Sequence, residues 1–220
     1  MTDTDFYTLI ASLPALPTHF DVERPPISRR QLAERLGQLS PEDAATVRQL
    51  ADFFDWDRQP LDRTDAEVAR ELTNLRSVQH PLVLRIIRHR LDLRSVVSAL
   101  RRRRDGHAEP APIGHLSETI RRHWADPTFG LGGRQPWIEP FARFMAAGEV
   151  VQAQRVLFEH TWRQWRRLAT EFTFSLEAVI LYLARWEIIH RWTSRDAQAG
   201  RERFDTMIQD TLGDHANLHL

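Results

Sequence analysis

Apolar residues recur every three to four positions along most of this chain, and the elements they predict are helices. Leu82, Ile86, Leu93, Val96, Val97 and Leu100 set one apolar face between Pro81 and Arg104, which predicts a helix about 36 Å long at ~1.5 Å per residue. A second stripe, Val151, Phe158, Trp162, Trp165 and Ala169, predicts another over 149–170. From Ser175 to Trp192 the chain is apolar almost all round, through Leu176, Val179, Ile180, Leu181, Leu183, Ile188 and Ile189. A helix central to a core has that pattern. Shorter helices are expected over 117–124 and 137–147, and a last one over 196–212. No stretch sustains a two-residue alternation; only Phe6 to Ala11 is ambiguous. The expected fold class is all-α, a bundle-like or funnel-like array of long antiparallel helices.

Several helix starts are written in their chemistry. Ser28-Arg-Arg-Gln31 and Thr64-Asp-Ala-Glu67 are capping boxes, in which a hydroxyl and a side chain three residues on satisfy orphan N–H groups. Ser40-Pro41 and His80-Pro81 place proline at the first helical position, where its missing N–H costs nothing, and Ser175 is a candidate cap for the helix that follows it. Asp105-Gly106 is a stop, glycine being free to turn left-handed. Pro110, Pro112, Pro127, Gly130, Gly132 and Gly133 then punctuate the chain. The expected organisation is a helical unit over 1–106, a linker over 107–136 with one short helix, and a second helical unit over 137–220, the alternative being that they pack as one domain.

With 42% hydrophobic residues in 220, the chain has the material for a core. It has no cysteine, so disulfides and thiolate metal sites are excluded. Its 30 basic residues, all arginine, balance 30 acids. That gives none of the net basic footprint usual in nucleic-acid binders. The opening Met-Thr-Asp-Thr-Asp-Phe is acidic rather than basic, unlike a secretory signal, and the longest uncharged run of the apolar C-terminal helix falls far short of the ~20 residues a membrane span needs. A cytoplasmic protein is expected.

The candidate chemistry is thin. Glu187-Ile-Ile-His190 has the spacing of one half of a carboxylate metal site, but the second pair is missing; His215 and His219 lack a third ligand. The seven tryptophans are explained by packing, and Gly130-Leu-Gly-Gly133 lacks the following Lys of a phosphate loop. Arg101, Arg102, Arg103 and Arg104 could grip an anion. Equally, consecutive helix positions fan ~100° apart and cations suit a helix C-terminus by about 0.3–1 kcal/mol each. Asp92 is open to two readings, an intrahelical pair with Arg88 or a partner on another helix.

Two segments carry a family resemblance. Asp92-Leu-Arg-Ser-Val-Val-Ser-Ala-Leu-Arg101, with Gly106 after it, is similar to a helix in the C subunit of V-type and archaeal A-type rotary ATPases, with Ser95 in place of that family's Asn. Val179-Ile-Leu-Tyr-Leu-Ala-Arg-Trp-Glu-Ile-Ile189 resembles the C subunit's Tyr-Leu-x-x-x-Glu-x-Glu-Ile helix through Tyr182, Leu183, Glu187 and Ile188. Phe6-Tyr-Thr-Leu-Ile-Ala-Ser-Leu-Pro14, Arg24-Pro-Pro-Ile-Ser28 and Gly200-Arg-Glu-Arg-Phe204 look closer still to a small bacterial family encoded among V-type ATPase genes. The matching parts cover about a third of the chain. The resemblance implies a non-catalytic subunit that joins the membrane rotor ring to the central stalk, or an accessory subunit of the complex. It would have no cofactor, metal, small-molecule substrate or nucleic-acid partner, and would meet the membrane only through the complex. Asp92, Arg101, Arg102, Arg103, Arg104, Tyr182 and Glu187 are its implied partner-binding residues. One departure is that the C subunit has about three similar helical units and this chain is short for three. The alternative is a helical nucleic-acid-binding or regulatory protein that uses Arg101 to Arg104.

Overall fold

The computed structural model describes residues 3–57, 79–109 and 115–194. Within them every regular element is helical: α1 Asp3–Ser12, α2 Arg29–Leu36, α3 Pro41–Asp57, α4 Pro81–Arg104, α5 Ser117–Arg122, α6 Ile138–Ala146, α7 Val150–Leu168 and α8 over 176–194, with a 3-10 turn Ala169–Glu171 after α7. No strand occurs among the described residues, and the ambiguous Phe6 to Ala11 lies in α1. The expected capping box Thr64 to Glu67, the last helix over 196–212, the Gly200–Phe204 motif and both tail histidines fall outside the described residues.

The local rules hold at most helix ends. At α2 the Ser28 hydroxyl accepts from the Gln31 N–H at 3.3 Å, and the Gln31 side chain accepts from the Ser28 N–H. Ser40 accepts from the Asp43 N–H at 3.2 Å. Past α4, Gly106 turns left-handed at φ 72°; its N–H reaches the Arg103 carbonyl and the His107 N–H reaches that of Arg102. These are the paired bonds of a Schellman stop. Gly148, at φ 74°, repeats the device after α6 with Met145 and Phe144. Ser175 departs from expectation. Its hydroxyl is buried without a hydrogen-bond partner, and α8 starts with only the Ser175 carbonyl accepting from Val179.

Buried side chains fall into two clusters. The first joins Leu9, Leu50, Phe54, Val83, Ile86 and Leu91 to Phe158, Trp162, Trp165 and most of α8. The second joins Leu93, Val96, Ala99 and Leu100 of α4 to Ile120, Phe129, Leu131, Trp137, Ile138, Phe141 and Ala153. The Pro/Gly-rich stretch therefore supplies core residues of its own. The α7 stripe is confirmed by Phe158, Trp162 and Trp165, but Val151 is 49% exposed because it sits at the helix entrance.

The irregular segment between α1 and α2 is fastened from the far side of the chain. Trp162 Nε1 donates to the Thr18 carbonyl at 3.0 Å, Tyr182 to that of Pro14 at 3.0 Å, and Trp186 Nε1 to that of Ile27 at 2.9 Å. Each aromatic thus buries its ring while its polar tip satisfies a backbone group. Phe20, fully buried, packs edge-on to Phe158 and Trp192, a burial worth about 1.5–3 kcal/mol.

Candidate functional site

Helix α4 runs through both clusters, and Asp92 lies where it passes from one to the other. Leu91 belongs to the first cluster and Leu93 to the second. The Asp92 side chain keeps 25% of its exposure, with His115 Nδ1 at 3.9 Å. Both sequence readings of this residue are realised in part. His115, from the segment that enters α5, and Arg88, one turn earlier on α4, both draw its carboxyl down, but burial outweighs them and raises it above the ordinary carboxylate range. A small void of about 30 Å³ beside it is lined by His89, Asp92, Leu93, Leu116, Gln135 and Trp137, enough for one water with polar partners around it.

A histidine pair lies behind the carboxylate. His89 stacks on His160 of α7 at 5.5 Å and meets the Trp165 ring edge-on at 5.0 Å. The Thr161 hydroxyl donates to the Leu157 carbonyl, so the 3.4 Å contact between His89 Nε2 and Thr161 Oγ1 requires His89 to be the donor. Desolvation, helped by His160, Arg90 and Arg85, lowers His89 to about 3, and burial lowers His160 as well. Both rings are neutral at neutral pH. The sequence spacing gave no sign of this pair, because residues 71 apart meet only through helix packing.

The four arginines do not act as one site. Arg103 donates to the Asp126 and Pro127 carbonyls, the latter at 2.7 Å, and its guanidinium lies 4.5 Å over the Phe129 ring. Arg102 donates to the Ala108 carbonyl at 2.9 Å, and Arg104 pairs with Asp105 at 2.7 Å. Arg101 stands on the opposite side of the helix from Asp92, since nine residues at ~100° each make half a turn beyond two full ones. Of the seven expected partner residues, Tyr182 and Glu187 are buried in the first cluster's surroundings. Tyr182 holds Pro14, and Glu187 faces Arg191 at 3.6 Å. His190 stacks on Trp186 at 4.8 Å. On α4 the exposed polar side chains are Arg85, Arg88, Ser98 and Arg104, while Asp92 and Arg101 are half-buried.

Among the described residues no group of three His, Asp or Glu side chains is placed to hold a metal ion, and no helix is long and apolar enough to cross a membrane. No curated protein and no solved structure matches the chain. Residues 77–214, which include all of α4 to α8, match the family described as Protein of unknown function (DUF2764), and the chain belongs to that family.

Proposed function

We propose that this protein is a non-catalytic subunit of a V-type rotary ATPase, a C-subunit-like helical part that connects the membrane rotor ring to the central stalk or serves the complex as an accessory subunit. The observation that carries the reading is Asp92. A carboxylate held above its ordinary range by burial is a cost to the isolated fold. Its place is in the very segment that resembles the C subunit, between two buried clusters and still reachable from solvent. A charge so placed supports a contact with a basic group on another subunit.

The nucleic-acid reading draws less support, because Arg102, Arg103 and Arg104 are engaged within the chain. The C-subunit likeness in Tyr182 and Glu187 is read as shared core architecture, in keeping with their burial. Purification of the tagged chain from native membranes tests the proposal. Catalytic-head and rotor-ring subunits should co-elute with it; an eluate without them overturns it.

A further inference from the structure

Arg185 is a half-buried cation without a counter-ion among the described residues. Its Nε donates to the Leu181 carbonyl at 3.2 Å, one turn back on α8, and no carboxylate pairs with it among the described residues. The neighbour that bears on it most is Tyr182, and after it another cation, Arg166 of α7, whose own Nη1 donates to the Thr18 carbonyl at 3.2 Å. Burial, aided by Arg166 and opposed by Tyr182, pulls the Arg185 guanidinium below its ordinary range, and among the described residues no carboxylate offsets its positive charge.

That charge borders a cavity of about 160 Å³ whose lining includes Ile10, Leu13, Phe172, Ala178, Tyr182 and Arg185. Thr173 aside, the remaining walls are apolar, and the Tyr182 hydroxyl, whose proton goes to Pro14, keeps acceptor capacity only. The guanidinium is therefore the lining's charged donor. Beside it Tyr7 and Phe174 are exposed at 56% and 41% and meet at 4.9 Å with their rings tilted, an aromatic pair next to the Phe172–Thr173 edge of the cavity. Concave apolar walls with one convergent charge are the ordinary make-up of a small-ligand site.

We infer that this cavity, enclosed by α1, the turn after α7 and α8, binds a small carboxylic acid with a short apolar tail, the carboxylate on Arg185 and the tail against Ile10, Leu13 and Phe172. The site is separate from Asp92 and does not depend on the proposed ATPase role. The ligand restores the missing counter-charge and at the same time removes apolar surface from water, so neither the charge nor the tail alone suffices.

Three probes of equal length separate these contributions: pentanoate, pentanol and pentylamine, titrated into the full chain and followed by NMR on the Arg185 Nε–H and the Ala178 methyl group. Pentanoate should give saturable shifts at both, with pentanol and pentylamine at least about tenfold weaker, the scale of a charge-assisted hydrogen bond. Acetate, which lacks the tail, should also bind at least about tenfold more weakly. Arg185→Gln should weaken pentanoate to the level of pentanol. Ala178→Leu, which fills the cavity and keeps the charge, should abolish pentanoate binding even if Arg185→Gln fails to fold. Equal affinity for pentanoate and pentanol, unchanged pentanoate binding in Ala178→Leu, or no saturable shift in the wild-type chain would each overturn the inference.

Discussion

Arg103 lies eleven residues beyond Asp92 on α4, three turns and about 20° away, so the two share the helix face that receives the 115–136 segment. Asp92 meets His115 near one end of that segment, and Arg103 closes over Phe129 and the Asp126 and Pro127 carbonyls further along it. One charge stays half-buried at a junction; the other is engaged in organising a loop. Their different fates set most of the expectations below.

Arg103→Gln should lower stability by about 1–3 kcal/mol, since it withdraws charged donors from two carbonyls and a cation from the Phe129 ring. Arg101→Gln, with none of these contacts, should stay within about 0.5 kcal/mol of wild type. Urea unfolding followed by tryptophan fluorescence compares them. A double-mutant cycle of Arg103→Gln with Phe129→Leu should show a coupling of about 0.5 kcal/mol or more.

Asp92→Asn should leave the fold as stable as wild type near neutral pH, or stabilise it by up to about 1 kcal/mol, the scale of a partly exposed charge. The sign follows from the raised carboxyl. A group that holds its proton more firmly when folded favours the fold at low pH, and that advantage is lost as pH rises through its folded value. The difference between Asn and wild type should accordingly grow as pH rises from about 4 towards neutrality. A marked loss of stability in Asp92→Asn would mean that the carboxylate serves the fold.

His89 predicts the opposite slope. Its imidazole is lowered to about 3 when folded, from 6.5 when free, so below about 6.5 the unfolded chain takes up a proton that the folded chain refuses. Its stabilising contribution is complete above 6.5 and is lost as pH falls towards about 3, at up to about 1.4 kcal/mol per pH unit. His160, lowered too, adds in the same direction. Denaturation midpoints across the acidic range should fall steeply in wild type and less steeply in His89→Gln.

Gly106→Ala should cost about 1 kcal/mol although a Cβ there would meet no atom within 4 Å. The penalty comes from φ 72°, which only glycine adopts freely. Thermal unfolding compared with Gly133→Ala, where space is equally open and no positive φ is recorded, isolates the backbone term.

The long helices were legible because their information is local. Period, cap and stop coincide at α4, and the structure places that helix over Pro81–Arg104 as the pattern predicts. The segment between α1 and α2 was not legible: its order comes from Trp162, Tyr182 and Trp186 reaching back more than 140 residues. The glycines and prolines after α4 read as a linker, yet the Asp126 carboxylate gathers the Thr128 N–H, the Thr128 hydroxyl and the Gly130 N–H and folds the chain around buried Phe129. Turn residues mark a bend equally well in a linker and in a packed loop, and only the aromatic between them separates the two. At the candidate site, the sequence singled out Asp92 but could not distinguish the arginine that faces Phe129 from the three beside it. Helix phase relative to Asp92 would have done so. Arg185 carried no signal at all, because its character is that no acid among the described residues lies beside it in space.

The most direct test of the central claim is quantitative co-purification of V-type ATPase subunits with tagged wild-type and Asp92→Asn chains from the native membranes, with the unfolding midpoint of each chain measured in parallel. The account predicts that wild type retains the head and rotor-ring subunits while Asp92→Asn loses them by about tenfold or more, with no fall in its own midpoint. Equal recovery by the two chains, or no ATPase subunit recovered with wild type, would contradict it.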